Sequence, residues 1–481
     1  MASGWPMTTK RLQGSKEGMT RRAVLGLLAA PAAVEASQAV GTKKKVIVAG
    51  AGLAGLCCAY ELRKRGHDAV VLEAAGRAGG HVLTLRDRFA DGLYADAGAE
   101  HFYRPGYDQL WSYIDEFRLP VIAYPRRHRV LRLVEGRLLG PEELESPARL
   151  RAAGYNEREL RYIGEHSLPG LPGLYFDPYI GRFEDEYKPF AAGLNHLDAM
   201  TGREFLLQQG ASPAAAGSLG GRRSALQVVW HAAIRRKRGM KWLETNLFRI
   251  EGGNQRLTDA FAVRLSGCLR LGCPITSIEH SPQGVRVHYS DNGRIKQEEA
   301  DHLVSCMPLI NLRKIPLTPG WPETKQYVIQ NLPYDSHCRV IFQSRTRFWK
   351  SDRVSPNMLL PGPSLGSVWS MAEEVPTARG ILIGTAGMTT ADKAVAAYRR
   401  AYPGPSEDIE ESVVVNWPND PWAMACLPTG LPPGELTKYW PAMIEPLGRI
   451  HFAGVYADNY PFGMEAAVRS ARRAAGEITS V

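Results

Sequence analysis

The sequence predicts an α/β fold in which a parallel sheet is assembled from separated segments of the chain and joined to a second, α+β domain. Three patterns indicate this fold. A short apolar run at 46–49 leads into a glycine-rich turn at 50–55, a second apolar run follows at 69–72, and a third at 450–453 precedes a helical pattern at the C-terminus. Short apolar runs bounded by turn residues are typical of strands that are buried on both faces.

The glycine-rich turn carries the strongest chemical signal. Gly50 permits a tight turn, Gly52 allows the backbone to approach a pyrophosphate, and Gly55 allows close packing of the helix predicted over 53–65. The N-terminus of that helix would face the phosphate charge. Glu73, at the end of the second strand, can accept hydrogen bonds from both ribose hydroxyls. The motif predicts a dinucleotide but does not decide between NAD and FAD.

The other patterns divide the chain into discontinuous domains. A chain of 481 residues is long enough for two or three of them. An aromatic-rich middle with a small-residue linker at 210–221 is followed by a helix pattern at 255–265 and strand patterns at 284–289 and 303–305. We expect a nucleotide-binding domain formed by 44–106, 249–309 and 440–481, and a substrate domain formed by 107–248 and 310–439.

Composition argues against several other classes of protein. The formal net charge is +10, but basic and acidic residues are intermixed, and the short basic runs lack the interleaved aromatic residues of a nucleic-acid platform. We therefore predict no nucleic-acid partner. The seven cysteines are an odd number without paired CxxC spacing, so neither a complete disulfide framework nor a metal site is expected.

The first 43 residues differ from the rest and read as an export signal or tail. Lys10, Arg11 and Lys16 precede an Arg21-Arg22 pair, an apolar run to Val34 and small residues suited to cleavage. This order resembles a twin-arginine signal, which implies the export machinery as a partner and a periplasmic or secreted protein. The alternative is a cytoplasmic protein with a disordered or membrane-apposed tail. The apolar run is shorter than the roughly 20 residues that a membrane-spanning helix needs.

The residues that follow the second strand distinguish between NAD and FAD as the predicted cofactor. Residues 73–81 read EAAGRAGGH, which resembles the acidic residue and Gly-Gly doublet of Rossmann-type, glutathione-reductase-like FAD proteins. In those proteins unhindered glycine backbone runs beside the cofactor. NAD domains have no need of the doublet, so this resemblance favours FAD.

Further stretches resemble the flavin-containing amine oxidase family, which includes monoamine oxidases and L-amino acid oxidases. They are DAGA at 96–99, SCMP at 305–308 followed by Lys314, Phe348-Trp349, FAGVY at 452–456 and YPFGMEAA at 460–467. The resemblance runs from about residue 44 to 481, and its specific motifs lie mainly in the nucleotide-binding domain. It implies FAD and an amine or amino acid substrate, and it is compatible with a homodimer.

The resemblance also assigns residues to the site. A helix N-terminus at Gly463 and Met464 would stabilise the negative charge that reduced flavin gathers at its pyrimidine end. The family arginine after the doublet is replaced by His81, and an acidic residue after Ala-Gly is replaced by Val455. The predicted FAD contacts are Gly50, Gly52, Leu53, Ala54, Gly55, Glu73, Ala74, Gly79, Gly80, His81, Gly98, Ala99, Glu100, Gly454, Val455, Gly463 and Met464. The predicted substrate contacts are His101, Arg104, Trp422 and Tyr460.

Lys314 is the candidate catalytic residue. In the family a lysine about six residues beyond the Ser-x-x-Pro turn holds a water near flavin N5, where it suits proton handling during reoxidation, and Lys314 occupies that place. The implied reaction removes a hydride equivalent from the carbon that bears an uncharged amine and gives an imine, which water hydrolyses. Electrons then pass to oxygen, forming hydrogen peroxide, or to another acceptor.

Cys426 is a candidate for covalent flavin attachment. Monoamine oxidases attach FAD through a cysteine nine residues after a tryptophan and six before Pro-Pro-Gly, and Cys426 has the same spacing from Trp417 and from residues 432–434. The flanking residues differ from those of monoamine oxidases, and a buried cysteine is more often a small apolar residue. We favour non-covalent FAD.

Two other functions stay open at this point. The aromatic pair that holds the amine in many relatives is replaced by Leu427 and by Gly463-Met464, and the stretch at 460–467 also resembles carotenoid desaturases. One alternative is therefore an FAD-dependent polyene or lipid desaturase or isomerase. The other is a non-catalytic FAD-binding protein, since fold alone does not establish activity.

Overall fold

A five-stranded parallel sheet forms the centre of the computed structural model, which describes residues 42–351, 355–424, 427–459 and 463–480. Val46, Ile47, Val48 and Ala49 are all fully buried in its middle strand, as the apolar run predicted. The α/β fold predicted from the sequence is confirmed. The strands, in spatial order, are Leu269–Arg270, Asp68–Leu72, Lys45–Ala49, His302–Ser305 and Ile450–Phe452.

Two helices pack together against this sheet. Leu53–Lys64 follows the first strand, and Gly463–Thr479 is the last helix of the described residues. The second helix is rich in buried alanines, so the two backbones approach closely, and Cys57 Sγ lies 3.9 Å from the Val468 carbonyl oxygen. The ends predicted from the sequence for these two helices agree with the ends in the structure to within about one residue.

A four-stranded sheet extends the fold beyond the central sheet. Arg294–Ala300, Val285–Asp291 and Ile275–His280 are antiparallel, and Leu317–Thr318 adds a parallel edge. Alternate residues of the strand Val285–Asp291 are buried, namely Val285, Val287 and Tyr289, which explains the alternating pattern of its sequence.

The largest sheet has seven strands and its own apolar core. Phe348 and Trp349 belong to that core, and Phe342 stacks on Tyr398 of the helix Ala391–Ala401 at 5.6 Å. The strands lie in the segments that the sequence assigned to the substrate domain, whereas those of the five-stranded sheet lie in the segments assigned to the nucleotide-binding domain. In spatial order they are Ile409–Asn416, Cys338–Ser344, Gly380–Ala386, Ser367–Met371, Met358–Leu359, Leu131–Val134 and Arg137–Leu139.

Most of the remaining helices lie in the sequence between residues 108 and 264. The small-residue linker predicted at 210–221 is wrong, because a helix occupies Pro213–Leu219. Ser212 caps it by accepting the Ala215 amide, and Pro213 and three alanines favour the helical backbone. The other helices of eight or more residues are Asp108–Glu116, Glu157–His166, Ala225–Lys237, Gln255–Arg264 and Glu323–Asn331.

Short strands complete the fold. They pair as Thr84–Leu85 with Ala95–Asp96, Tyr334–Asp335 with Leu427–Pro428, and Leu247–Ile250 with both Phe102–Tyr103 and Val121–Ala123.

Within the described ranges, no helix is long and apolar enough to cross a membrane.

Candidate functional site

A cavity of about 730 Å³ extends from the glycine-rich turn to a group of charged and polar side chains that includes Glu100, Arg126 and Arg339. Its wall includes the turn, the end of the second strand, the glycine doublet and the start of the C-terminal helix. Segments that are distant in the sequence therefore meet around one space, which lies where α/β proteins bind ligands, beyond the carboxyl ends of parallel strands.

The glycine-rich turn is shaped by two different requirements. A Cβ on Gly55 would lie 1.9 Å from the Gly50 carbonyl oxygen, so this position must be glycine for the helix to pack on the turn. A Cβ on Gly52 would meet no atom within 4 Å, and Gly52 lines the cavity. Gly55 does not line it. Gly52 therefore leaves space for a ligand, while Gly55 serves packing.

Glu73 is held in place by the backbone of the turn. Its Oε2 accepts the Ala51 amide at 2.6 Å and its Oε1 accepts the Ala75 amide at 2.8 Å. Burial raises the pKa of Glu73, and these two amides oppose that rise only in part. The carboxylate is fixed at the cavity wall before any ligand arrives.

The glycine doublet lies directly beside the turn. Gly79 donates its amide to the Ala51 carbonyl oxygen at 2.8 Å, and Gly79 and Gly80 have φ angles of +106° and +55°. A Cβ on Gly80 would lie 3.1 Å from Gly52 Cα, and one on Gly79 would lie 2.8 Å from the Val82 carbonyl oxygen. Left-handed backbone and close contact together require glycine at both positions.

His81 follows the doublet and lines the cavity. Its ring lies 4.0 Å from that of Trp417, and its Nδ1 is buried with no hydrogen-bond partner among the described residues. Burial lowers the pKa of His81 to about 3, with further lowering from Arg339. The ring is therefore neutral at physiological pH and supplies no replacement for the charge of the family arginine.

The C-terminal helix begins at the cavity. Gly463, at φ +48°, and Met464 are its first residues and both line the wall, as do Gly454 and Val455. Ser470 Oγ accepts the Gly454 amide at 2.9 Å and so anchors the loop before the helix. Free amides and the helix dipole at such an N-terminus favour negative charge.

Lys314 and Trp422 lie on loops at the cavity wall. Lys314 follows the short helix Leu309–Leu312, is exposed, and has no carboxylate partner in the part of the chain that the structure describes. Trp422 is 43% exposed. Asn311 Nδ2 donates to the Pro421 carbonyl oxygen at 2.9 Å, which joins this short helix to the loop that carries Trp422.

A charged cluster occupies the substrate end. Glu100 lies between Arg126, which contacts its Oε1, and Arg339, whose Nη1 lies 3.2 Å from its Oε2. Burial alone would raise the pKa of Glu100, but the two guanidinium groups hold it well below its usual range. His101 Nδ1 lies 3.2 Å from Glu100 Oε1, and burial lowers the pKa of His101 to about 4. All four residues line the cavity.

Sequence reasoning missed both arginines. Arg339 lies near the start of the strand Cys338–Ser344, next to the apolar residues 340–342, and a charged residue beside such a run was an available signal. Arg126 lies in a loop and carried none. Tyr103 and Tyr107, whose rings are 5.1 Å apart, also line the cavity and were not predicted.

The structure brings most of the predicted site residues together. Gly55 and Arg104 are outside the cavity wall; Arg104 is exposed, and its guanidinium lies 4.7 Å from the ring of Trp111. Cys426 and Tyr460 lie outside the described residues. Those that line the cavity are Gly50, Gly52, Leu53, Ala54, Glu73, Ala74, Gly79, Gly80, His81, Gly98, Ala99, Glu100, His101, Lys314, Trp422, Gly454, Val455, Gly463 and Met464.

The family profile described as flavin containing amine oxidoreductase matches residues 53–479 of this chain. The chain belongs to that family. The match covers the glycine doublet, the charged cluster and the C-terminal helix, and all of the cavity wall except Gly50 and Gly52 of the turn lies inside it. The family resemblance recognised in the sequence and the assignment as an FAD-dependent oxidoreductase are confirmed.

L-amino-acid oxidases are among the curated relatives to which this chain is similar. The chain is 23% identical over 477 residues to that of Demansia vestigiata, covering 90% of this chain and 86% of the relative. It is also 23% identical over 480 residues to that of Cerastes cerastes, covering 92% and 88%.

Solved structures share its fold. A putrescine oxidase bound to putrescine has a TM-score of 0.75 at 20% identity, and a cyclohexylamine oxidase from Brevibacterium oxydans IH-35A has a TM-score of 0.73 at 20% identity. Each alignment covers 91% of this chain and 99% of the solved one.

The residues present fit the FAD of the family. The open space beside Gly52, the fixed carboxylate of Glu73 and the glycine backbone at 79–80 suit an adenosine diphosphate moiety. The start of the C-terminal helix, at the same cavity, suits the electron-rich end of a flavin. One cavity thus offers both kinds of contact that FAD needs.

Proposed function

We propose that this chain oxidises the C–N bond of an amine or amino acid to an imine and passes the electrons to oxygen, forming hydrogen peroxide. FAD would supply the redox chemistry by accepting a hydride equivalent. The single observation that carries the proposal is the continuity of the cavity, which extends from the FAD-binding turn to polar residues suited to a small substrate. The amine oxidases and L-amino-acid oxidases among its relatives support it.

The chain's own residues bind, orient and handle protons. Glu73 and the two glycine segments would hold the cofactor, and the N-terminus of the C-terminal helix would stabilise negative charge. Lys314 would hold a water at the cavity and manage a proton during reoxidation. Its lack of a carboxylate partner among the described residues leaves its ammonium group available for this role.

The desaturase alternative is less well supported. A polyene or lipid chain needs an apolar tunnel, and burying it beside Glu100, Arg126 and Arg339 would carry a large desolvation cost. The polar substrate end therefore favours a small polar substrate.

Anaerobic reduction of the bound flavin tests the activity. We expect one or more members of a panel of amines and amino acids to bleach the visible absorbance of the bound flavin, and peroxide to form when air returns. Bleaching by polyenes alone would establish the alternative, and bleaching by none of them would indicate a non-catalytic FAD-binding protein.

We further propose that FAD is bound non-covalently. Cys426 lies outside the described residues, so this proposal rests on the sequence around it. Acid precipitation of the holoenzyme should release the flavin into the supernatant. Flavin that stays with the pellet, and is released when Cys426 is replaced by alanine, would establish attachment through that cysteine.

The proposal for export rests on the sequence of residues 1–43. We infer that Arg21-Arg22 and the apolar run direct twin-arginine export to the periplasm or beyond. Fractionation of producing cells should place the protein outside the cytoplasm, and the double change Arg21→Lys and Arg22→Lys should retain it inside. Equal distribution of both forms would favour a cytoplasmic protein with an N-terminal tail.

A homodimer is also proposed, and sedimentation of the holoenzyme tests it.

A further inference from the structure

We propose that Arg126 is the anchor for a carboxylate on the substrate, so that the amine that is oxidised belongs to an amino acid rather than to a simple amine or a diamine. The inference rests on the proposed function and names its substrate class. It depends on the geometry of Arg126, on the charge balance of the cluster around Glu100, and on the carboxylates that line the cavity.

Arg126 is held with part of its guanidinium group unused. Its Cζ lies 3.5 Å from the ring centroid of Trp369, which fixes the plane of the group by a cation–π contact. Nη1 contacts Glu100 and lies 3.2 Å from His101 Nδ1. Nε and Nη2 have no hydrogen-bond partner among the described residues. The side chain is 22% exposed and lines the cavity, so these donors are accessible to a ligand.

Arg339 prevents Glu100 from neutralising this anchor. It is buried in the strand Cys338–Ser344, donates Nη2 to the Gly98 carbonyl oxygen at 3.0 Å, and faces Glu100 from the side opposite Arg126. Two guanidinium groups share one carboxylate, and His101 is neutral at physiological pH. The cluster therefore carries one net positive charge, which one carboxylate would balance. We assign Arg339 a positioning role through Glu100.

The cavity offers no comparable site for a second cation. Of the carboxylates in its described wall, Glu73 accepts the amides of Ala51 and Ala75, and Glu100 lies between two arginines. Asp420 accepts the amides of residues 422 and 423 at one oxygen, Oδ1. The distal ammonium group of a diamine would have to share a carboxylate that already holds backbone amides or arginines, whereas an amino acid would place its carboxylate on the unused edge of Arg126. Planar, two-donor recognition of a carboxylate is the geometry that arginine provides best.

The first experiment measures binding without turnover. Purified holoenzyme is titrated with pairs of ligands that differ only in charge, phenylacetate with phenylacetamide and isovalerate with isovaleramide, and the perturbation of the flavin absorbance is followed. We expect at least one acid to bind ~10-fold or more tightly than its amide, since a charge-assisted hydrogen bond contributes a factor of about this size. Equal binding of acid and amide, or no saturable change with either acid, would overturn the proposal.

Variants of single arginines test which residue causes the preference for the acid over its amide. Arg126→Gln should remove the preference for the acid, whereas Arg104→Gln, which removes the same charge outside the cavity, should keep it. Arg339→Lys retains the charge beside Glu100 and should keep most of the preference, and Arg339→Met should weaken it about as much as Arg126→Gln. A preference that survives in Arg126→Gln would refute the assignment, even if Arg339→Met proves too unstable to purify.

The second experiment separates this inference from the activity itself. Anaerobic flavin reduction is compared for amino acids and their decarboxylated amines, such as phenylalanine with phenylethylamine and leucine with isoamylamine. Reduction by the amino acid alone supports the inference. Reduction by the amine, with equal or greater efficiency, leaves the proposed function intact and overturns the carboxylate anchor. Reduction by neither would count against the proposed function, and the ligand titration would still decide whether Arg126 binds a carboxylate.

Discussion

Glu73 Oε2 accepts the Ala51 amide at 2.6 Å, and this bond joins the end of the second strand to the glycine-rich turn. The second oxygen accepts the Ala75 amide, so both oxygens are oriented by backbone that the fold fixes. A carboxylate held in this way needs little rearrangement to accept ribose hydroxyls. The same bond also couples cofactor binding to the shape of the turn.

Replacing Glu73 by glutamine should weaken FAD binding. An amide group can present only one acceptor oxygen, so its NH₂ would face one of the two backbone donors and the ribose contact would be lost. We expect the Kd for FAD to rise by roughly 10- to 100-fold, the range for charged hydrogen bonds. Titration of apoprotein with FAD measures it. Glu157→Gln, on an exposed helix, is the control, and a Kd for Glu73→Gln within a factor of about two of the wild type would contradict this role.

Alanine at two positions of the turn should have opposite effects on stability and binding. Gly55→Ala places a methyl group 1.9 Å from the Gly50 carbonyl oxygen, so the free energy of unfolding should fall by about 3 kcal/mol. Gly52→Ala meets no atom within 4 Å, and its φ of −66° suits alanine, so stability should change by less than about 0.5 kcal/mol.

The same Gly52→Ala methyl group would project into the cavity, so the Kd for FAD should rise by ~10-fold or more. Denaturant unfolding of the apoproteins and titration with FAD measure the two properties separately. A destabilised Gly52→Ala apoprotein, or one that binds FAD normally, would show that this face of the turn is not the cofactor surface.

Lys314→Met should slow reoxidation of the flavin. Loss of the ammonium group removes the proposed water and proton contact, so the rate constant for reaction of the reduced enzyme with oxygen should fall by about 10- to 100-fold. The rate of flavin reduction by substrate should change far less. Stopped-flow mixing of anaerobically reduced enzyme with oxygenated buffer separates the two, with Lys393→Met at an exposed helical position as the control. Equal reoxidation rates in the two variants would remove Lys314 from the mechanism.

Glu465 should make the protein less stable as the pH rises. Burial raises the pKa of Glu465 to about 7, opposed in part by the amides of Leu110 and Gln109. The folded state therefore keeps a proton that the unfolded chain loses near pH 4.5, and this contribution is present below about pH 4.5 and lost as the pH rises through about 7. The loss is on the order of 3 kcal/mol.

Denaturant unfolding at pH 5 and pH 8 tests this dependence. Glu465→Gln, which mimics the protonated form, should lose less stability between the two values than the wild type does. Part of the decline should remain in the variant, because burial also raises the pKa of Asp96 to about 6 and this contribution has the same sign. An identical decline in both proteins would exclude Glu465 as its source.

Local patterns determined much of this protein. The turn at 50–55, the glycine doublet at 79–80 and the two helices around them follow from apolar period, glycine placement and helix-ending residues, all of which act over a few neighbouring positions. From these the sequence alone yielded the α/β fold, FAD and the family. It failed at Pro213–Leu219, where small residues suited a linker and a helix equally well until Ser212 and packing decided the matter.

Only the tertiary structure decided which charges meet at the substrate end. Arg126 lies in a loop, Arg339 in a strand of the seven-stranded sheet, and Glu100 in the segment 44–106 that was assigned to the nucleotide-binding domain, so no spacing in the sequence relates them. Arg104, which the family resemblance assigned to the substrate, lies outside the cavity wall. Charged groups interact through space, and packing of the strand Cys338–Ser344 near Gly98 sets those distances. The sequence by itself therefore determined the cofactor and its turn, whereas the folded chain determined the charge that the substrate meets.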